Sequence, residues 1–277
     1  MEKHNDIRPS VEIRQAQREA AEKIAAAQER GDLVAAKSAL NEFSEQMRAF
    51  REQFGSITEA LGQNFLGLTA WQNIGVDVGE TPPLPKSLTL EVLNSDCPLH
   101  PGEKIKDTHL LVLIPKTVDG ELYTALKLDE LCATMKGSAE KLIWDGTGWA
   151  TSWQKQAWAS APQSSSEWVV IPKSDPDPKE VLKDKHFRSK SVASQQKVHT
   201  KHYGEYREVK ALELMTAVLL YDLTHKERLL PNYFLRCEEP NASGGRVCVG
   251  CFFANGLRVN GDYDDNDCIG RALARKL

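Results

Sequence analysis

The chain has 277 residues, of which 41% are hydrophobic and 27% charged, and its net charge is −4. That balance fits a soluble chain with a substantial core, in one large domain or two modest ones. Mild acidity argues against nucleic acid as the main partner, which needs a basic face, and no apolar run reaches the length of a membrane span.

The opening Met-Glu-Lys-His-Asn-Asp-Ile-Arg-Pro lacks an apolar signal region, so a cytoplasmic setting with reduced cysteines is expected by default. Residues 1–9 are polar and read as a disordered tail. From Ser10 to Gln63 there is no Pro, and Ala, Glu, Gln, Arg and Lys dominate, which favours helix. Ile13, Ala16, Ala20, Ile24 and Ala27 make a stripe of small residues at helical spacing, ended by Gly31-Asp32. A second helix follows, in which Leu33, Ala36, Leu40, Phe43, Met47, Phe50, Phe54, Ile57 and Leu61 alternate in steps of three and four. This is a heptad seam. It suits an oligomerising coiled coil, with a homo-oligomer as partner, or a hairpin folded at Gly31-Asp32 with the Ala stripe on the Leu/Phe stripe.

The sequence divides into a helical arm over 10–75, a Pro-rich linker over 76–96 and a ligand-binding domain over 97–277. The stiff run from Gly79 to Pro85 marks the boundary. Leu88 to Leu93 reads as a short helix. His109 to Ile114 is a continuous apolar run and reads as a buried central strand. Leu126, Leu128, Leu131 and Cys132 predict a short amphipathic helix. Trp144, Trp149, Trp153 and Trp158 lie in an aperiodic stretch and are read as pinning loops to the core. Trp168 to Pro172 is a second strand, Phe187 to Tyr203 a polar helix, and Val209 to Leu223 a helix apolar nearly all round, hence buried. After it, Tyr233 to Leu277 alternates short β-type runs with Gly, Asn and Asp, and Asn255-Gly256 is a strong hairpin signal. The expected class is α+β, with antiparallel C-terminal strands.

Candidate chemistry is sparse. Asp262-x-Asp264-x-Asn266 has the oxygen spacing of a calcium loop, but Asp267 stands where Gly is wanted and Leu273 where Glu is wanted, so it is no EF-hand. A lectin-style calcium site or plain solvation of the carboxylates stays open. Cys248-x-x-Cys251, with Cys97-x-x-His100, has zinc-like spacing, but residues three apart on a strand face opposite ways unless Gly250 bulges. His199-x-x-His202 is expected on an exposed helix face. Asn241-Ala-Ser243 is a glycosylation sequon. There is no P-loop, GxGxxG or GxSxG. No cofactor or metal is called for.

Three blocks carry a resemblance: Asp107 to Gly120, Glu167 to Ser174, and the set Glu227 to Cys237, Gly245 to Gly250, Ala254 to Leu257 and Ala274 to Leu277. Together they resemble a group of bacterial proteins whose C-terminal part is similar to C-type-lectin-like domains of the formylglycine-generating-enzyme type. Such domains serve as variable, ligand-displaying domains in proteins diversified by retroelements. The resemblance implies a lectin-like domain over 97–277 that presents a variable surface to a protein or glycan. It implies ligand-binding positions at Glu239, Asn241, Ser243, Arg246, Phe253, Asn255, Arg258, Asn260, Asp262, Tyr263, Asp264, Asp265 and Asp267, with Phe253 and Tyr263 as aromatic anchors. The alternatives are an enzyme on the same fold, a hydrolase or oxidase uniting His109, His186 or His202 with a cysteine or carboxylate, and a structural scaffold built on the coil.

Overall fold

The computed structural model describes residues 11–135, 142–144, 153–174, 187, 190–241, 244–261 and 269–277, with side chains from residue 14 onward. Residues 1–9, Trp149 and His186 lie outside the described set.

Helix α1 (Val11–Glu29) and helix α2 (Leu33–Leu61) form a hairpin. Gly31 turns the chain at φ 68°, and the Asp32 carboxylate accepts the Ala35 amide at 2.9 Å, capping α2. Ala20, Ala27 and Ala39 are buried between the helices, because small side chains let the two backbones approach closely. Lys23 and Glu42 pair across the outside at 3.3 Å. The sequence left hairpin and coiled coil open; the heptad seam is only partly used within the chain. Its stripe is wider than one helix covers, and α1 sits on the Ala39 side, so Leu33 and Leu40 remain 77% and 52% exposed.

At its base the hairpin joins the body of the protein. Ile57 and Leu61 enter the main core. Phe54 meets Phe65 edge-on at 5.7 Å, and Phe65 stacks on Trp168 at 5.4 Å. Strand β1 (Phe65–Leu66) and helix α3 (Leu68–Asn73) follow, and Trp71 of α3 donates its indole N–H to the Leu113 carbonyl at 3.0 Å. Val76, Val78, Leu84 and Leu88, from the Pro-rich stretch, are buried in the same core. Short helices α4 (Leu90–Asn94) and α5 (Ile105–Thr108) lead to strand β2 (His109–Ile114), whose six residues are all buried. The hairpin of β3 (Thr117–Val118) and β4 (Glu121–Leu122) precedes α6 (Ala125–Met135). Then come α7 (Ala157–Ser160), β5 (Glu167–Pro172), α8 (Val192–His202), β6 (Tyr206–Glu208) and α9 (Ala211–His225).

Helix α9 packs against both main sheets, which is why its sequence is apolar nearly all round. Glu213 is one of its exceptions: it is fully buried, forked by Arg207 at 2.8 and 2.9 Å, and accepts the Lys210 amide at 3.0 Å. One carboxylate thus serves an ion pair and the helix N-terminus together.

The remaining strands are β7 (Phe234–Pro240), β8 (Arg246–Phe253), β9 (Gly256–Gly261), β10 (Ile269–Arg271) and β11 (Leu273–Arg275). The first sheet has the order β1-β2-β5-β11-β6, with β1 parallel to β2 and the other pairs antiparallel. The second has the order β10-β7-β8-β9. The architecture is mixed α+β: a helical hairpin followed by several sheets.

The C-terminal strands depart from the antiparallel meander that the sequence predicts. Strands β7, β8 and β9 are antiparallel, but β10 pairs parallel to β7, and β11 crosses to the first sheet between β5 and β6. Ala272 is the hinge. Its amide donates to Arg236 of the second sheet at 2.9 Å and its carbonyl accepts the Val209 amide at 3.2 Å. The run from Ile269 to Ala274 is buried throughout, as strands covered on both faces are.

Candidate recognition surface

The second sheet has two unlike faces. Registers pair Leu235 with Val249 and Val249 with Val259. These residues, with Cys237 and Val247, belong to the hydrophobic core beneath α9. By the two-residue period of a strand, the alternate positions face away from α9. Arg236, Cys248 and Asn260 lie side by side in one row, and Phe234, Gly250 and Arg258 in the next. The parallel register of β10 sets Arg271 beside Arg236. Arg246, two residues before Cys248, shares this face. Four guanidinium groups therefore lie on one side of the sheet, at Arg236, Arg246, Arg258 and Arg271.

Three of them are engaged within the protein. Arg236, 2% exposed, donates to the Lys190 carbonyl at 2.9 Å. Arg271, 5% exposed, donates to the Glu208 carboxylate and to the Gln196 side-chain oxygen at 2.5 Å. Burial pulls the Arg271 guanidinium below its ordinary pKa, and the charge of Glu208 opposes that pull. Arg246 lies 3.6 Å from the other Glu208 oxygen and donates to the Glu238 carbonyl.

Arg258 differs. Its guanidinium lies 4.6 Å from the Trp144 ring and 5.2 Å from the Phe253 ring, a stacked position favourable to a cation. Among the described residues it has no carboxylate or carbonyl partner, and its Nε is buried without an acceptor. Phe253 is 40% exposed.

The positions that the resemblance implies fall at two ends of β8 rather than in one cluster. At one end Arg246 lines an open cleft of about 610 Å³ with Glu208, Glu238 and Lys276. Glu238 also borders a neighbouring cleft of about 440 Å³ that Trp158, Lys210 and Glu239 line. Glu239 is turned toward α9, where its carboxylate accepts the Ala211 amide at 2.8 Å; burial raises its pKa. Asn241 is buried and builds the β7–β8 turn, accepting the Gly245 amide at 3.0 Å and donating to the Arg246 carbonyl at 3.2 Å. At the other end are Phe253, Arg258 and the exposed Asn255 of the β8–β9 turn. Asn260 sits half-buried on β9. Ser243, Asp262, Tyr263, Asp264, Asp265 and Asp267 lie outside the described residues, and with them the calcium-like spacing.

Sequence reading missed two contributors. Trp144 reaches the surface through a short parallel bridge between Ile143 and Leu257, and only tertiary structure brings it to Arg258. Glu208, on β6 of the first sheet, holds two arginines of the second.

The remaining candidate ligands are built into the interior. His109 is fully buried, between the Thr108 hydroxyl at 2.9 Å and the Tyr206 hydroxyl at 3.1 Å. His199 is half-buried, not exposed as expected, because Nε2 lies 3.0 Å from the Tyr206 carbonyl, which ties α8 to β6. Gly250 does bulge: the β8–β9 register shifts between Gly250 and Phe253, and Cys251 takes φ 47°. Among the described residues, no group of three or more His, Cys, Asp or Glu side chains is placed to hold a metal ion.

No helix of the described chain is long and apolar enough to cross a membrane. No family model, curated protein or solved structure matches the chain.

Proposed function

We propose that the chain is a binding and display protein, in which a C-type-lectin-like domain presents the part of its second sheet around Arg246, Arg258 and Asn260 to a protein or glycan ligand. The observation that carries this reading is the alternation along β8 and β9. Val247, Val249 and Val259 anchor the strands on the core, while Arg246, Arg258 and Asn260 point away from it. These three are half-exposed, unlike Arg236 and Arg271 on the same face, so they can change with little repacking of the interior, which is what a variable recognition surface requires. Aromatic and arginine side chains at Phe253, Trp144 and Arg258 supply the residue types that dominate binding energy at interfaces.

The arm has a place in this reading. Leu33, Val34 and Leu40 are exposed on the hairpin, and covering them with a second copy would join two recognition surfaces and raise avidity for a repeated target. Light scattering at micromolar concentration tests this; a monomer removes the multivalent part.

The experiment for the central claim is a screen of the full chain on protein and glycan arrays, beside a triple variant Arg246→Ala, Arg258→Ala, Asn260→Ala. Capture by the wild type and its loss in the folded variant are expected. A ligand held equally by both would place recognition elsewhere. The diversification that the family resemblance implies is tested separately in the neighbouring DNA, by a reverse-transcriptase gene with a near-copy of the final segment that differs mainly at adenines.

A further inference from the structure

The cleft of about 440 Å³ beside the Arg246 end of β8 joins an apolar wall, Trp158 and Leu212, to a few polar groups, Gln163, Lys210, Glu238 and Glu239. Its volume and make-up are those of an ordinary small-molecule site. Trp158 is fixed before any ligand arrives. Its ring stacks on the buried Trp153 at 5.6 Å, with 19° between the planes, and its indole N–H donates to the Gln156 side-chain oxygen at 3.1 Å. The ring itself is only half-buried, so part of it stays open to the cleft.

Two acceptors are held as firmly. Gln163 is 5% exposed. Its backbone N–H donates to the Tyr123 carbonyl at 2.8 Å, and its side-chain amide donates to the Ser165 carbonyl at 3.1 Å and to the Glu167 carboxylate. With the nitrogen so committed, Oε1 is an acceptor with no hydrogen-bond partner among the described residues. An amide oxygen left unmatched in this way gains from a donor that a ligand brings. Glu239 accepts the Ala211 amide through Oε2 at 2.8 Å, which orients the carboxylate and leaves lone pairs for further donors. Charge is close to balanced. Lys210 stands against Glu238, and the positive end of the α9 dipole, at Ala211, offsets Glu239. An ion of either sign therefore gains little here. A neutral molecule rich in hydroxyl donors suits the acceptors, and a face of C–H bonds suits the indole.

We propose that this cleft takes one neutral sugar unit of a glycan, with the C–H face of the ring on Trp158 and hydroxyls donating to Gln163 Oε1 and the Glu239 carboxylate. The inference rests on the reading of the chain as a binding and display protein, and narrows its ligand from protein or glycan to a glycan. The larger cleft beside Arg246 lies past Glu238 and leaves room for the next unit. Because the indole and both acceptors are already in place, little ordering cost falls on the protein when the sugar binds.

The test titrates the full chain by calorimetry with cellotetraose, maltotetraose and mannotetraose, and with sialyllactose as the charged comparison. Saturable binding of a neutral sugar is expected, changing less than about twofold between about 50 and about 500 mM salt because no ion pair forms. Trp158→Ala should weaken it about tenfold or more, with part recovered in Trp158→Phe. Glu239→Gln still accepts the Ala211 amide but loses the charge-assisted bond, and should weaken it about fivefold. Circular dichroism verifies that the three variants fold. Nuclear magnetic resonance reads the place: the Trp158 indole N–H signal, assigned by its absence in Trp158→Phe, should shift as the sugar is added. No binding of the three neutral sugars, tighter binding of sialyllactose that fades with salt, affinity unchanged in Trp158→Ala, or an unmoved Trp158 signal overturns the proposal. An array ligand lost in the Arg246, Arg258, Asn260 triple variant but indifferent to Trp158→Ala also overturns it while leaving the display reading intact. Failure of that reading is a different result, the absence of any captured ligand that the triple variant loses.

Discussion

His109 Nε2 lies 3.1 Å from the Tyr206 hydroxyl, joining β2 to β6 across the strands between them. The Thr108 hydroxyl already donates to the Lys104 carbonyl at 3.0 Å, so His109 Nδ1–H donates to it, and Nε2 accepts from Tyr206. The imidazole is therefore neutral. Burial above all, with the nearby charges of His100 and Arg275, holds its pKa down to about 3 from the ordinary 6.5.

The unfolded chain takes up this proton first as pH falls, so His109 contributes stability that is complete above pH 6.5 and is lost as pH drops toward 3. The loss is about 1.4 kcal/mol per pH unit across that window. Urea midpoints at about pH 7.5 and about pH 5 measure it. His109→Gln, which keeps hydrogen-bonding capacity but cannot ionise, should show a shallower acid decline than the wild type; parallel declines would assign the acid sensitivity to other groups.

Arg207→Ala removes the fork on Glu213 and leaves a fully buried carboxylate with the Lys210 amide as its remaining hydrogen bond. Stranding a buried charge costs about 3–5 kcal/mol, and the partial exposure of Arg207 brings the expected loss toward about 2–3 kcal/mol. Denaturant unfolding measures it. A loss under about 1 kcal/mol would mean that water reaches Glu213 in the variant.

Two glycines separate backbone need from mere tolerance. A Cβ at Gly250, where φ is 153°, would stand 2.2 Å from the Tyr233 carbonyl oxygen and 2.8 Å from the Phe234 Cα. Both obstacles are backbone, so Gly250→Ala should destabilise by about 2 kcal/mol or more. A Cβ at Gly55, inside α2, would meet nothing within 4 Å. Gly55→Ala should stabilise by about 1 kcal/mol. Melting temperatures of the two variants should move in opposite directions.

Phe54 is the step by which α2 reaches the aromatic contacts of Phe65 and Trp168. Phe54→Ala should cost about 2 kcal/mol, below the full-core figure because the ring is only half-buried. Limited proteolysis should then cut α2 faster than β2 or α9. Uniform cutting would show that arm and body unfold as one unit.

The elements legible in the sequence are those whose neighbours are irrelevant to the pattern. The strand from His109 reads as covered because Leu110 to Ile114 is apolar without a break, and Leu212 to Leu220 reads as a buried helix because its apolar residues lie nearly all round it. The β8–β9 turn is legible because Asn and Gly punctuate the strands there, although the turn is centred on Ala254-Asn255 and only Gly256 takes a positive φ, 114°. Residues whose role depends on distant partners are not legible in this way. Glu239 looks like one more rim carboxylate until α9 brings the Ala211 amide to it. Arg236, Arg258 and Arg271 look alike in the sequence, yet a carbonyl, two rings and a carboxylate respectively define them. The parallel pairing of β10 was hidden because strand direction is set by the path of the connection, not by the three residues Ile269 to Arg271.

Strand β11 is three residues long, yet among the described residues it is the one strand that pairs with both β5 and β6 in the first sheet. A chain that stops short of Leu273 would leave that sheet split, with two raw borders where one seam had been. Nonsense or frameshift changes confined to this short stretch should thus act as harshly as much larger truncations, through clumping of the cleft protein rather than loss of any contact with a ligand.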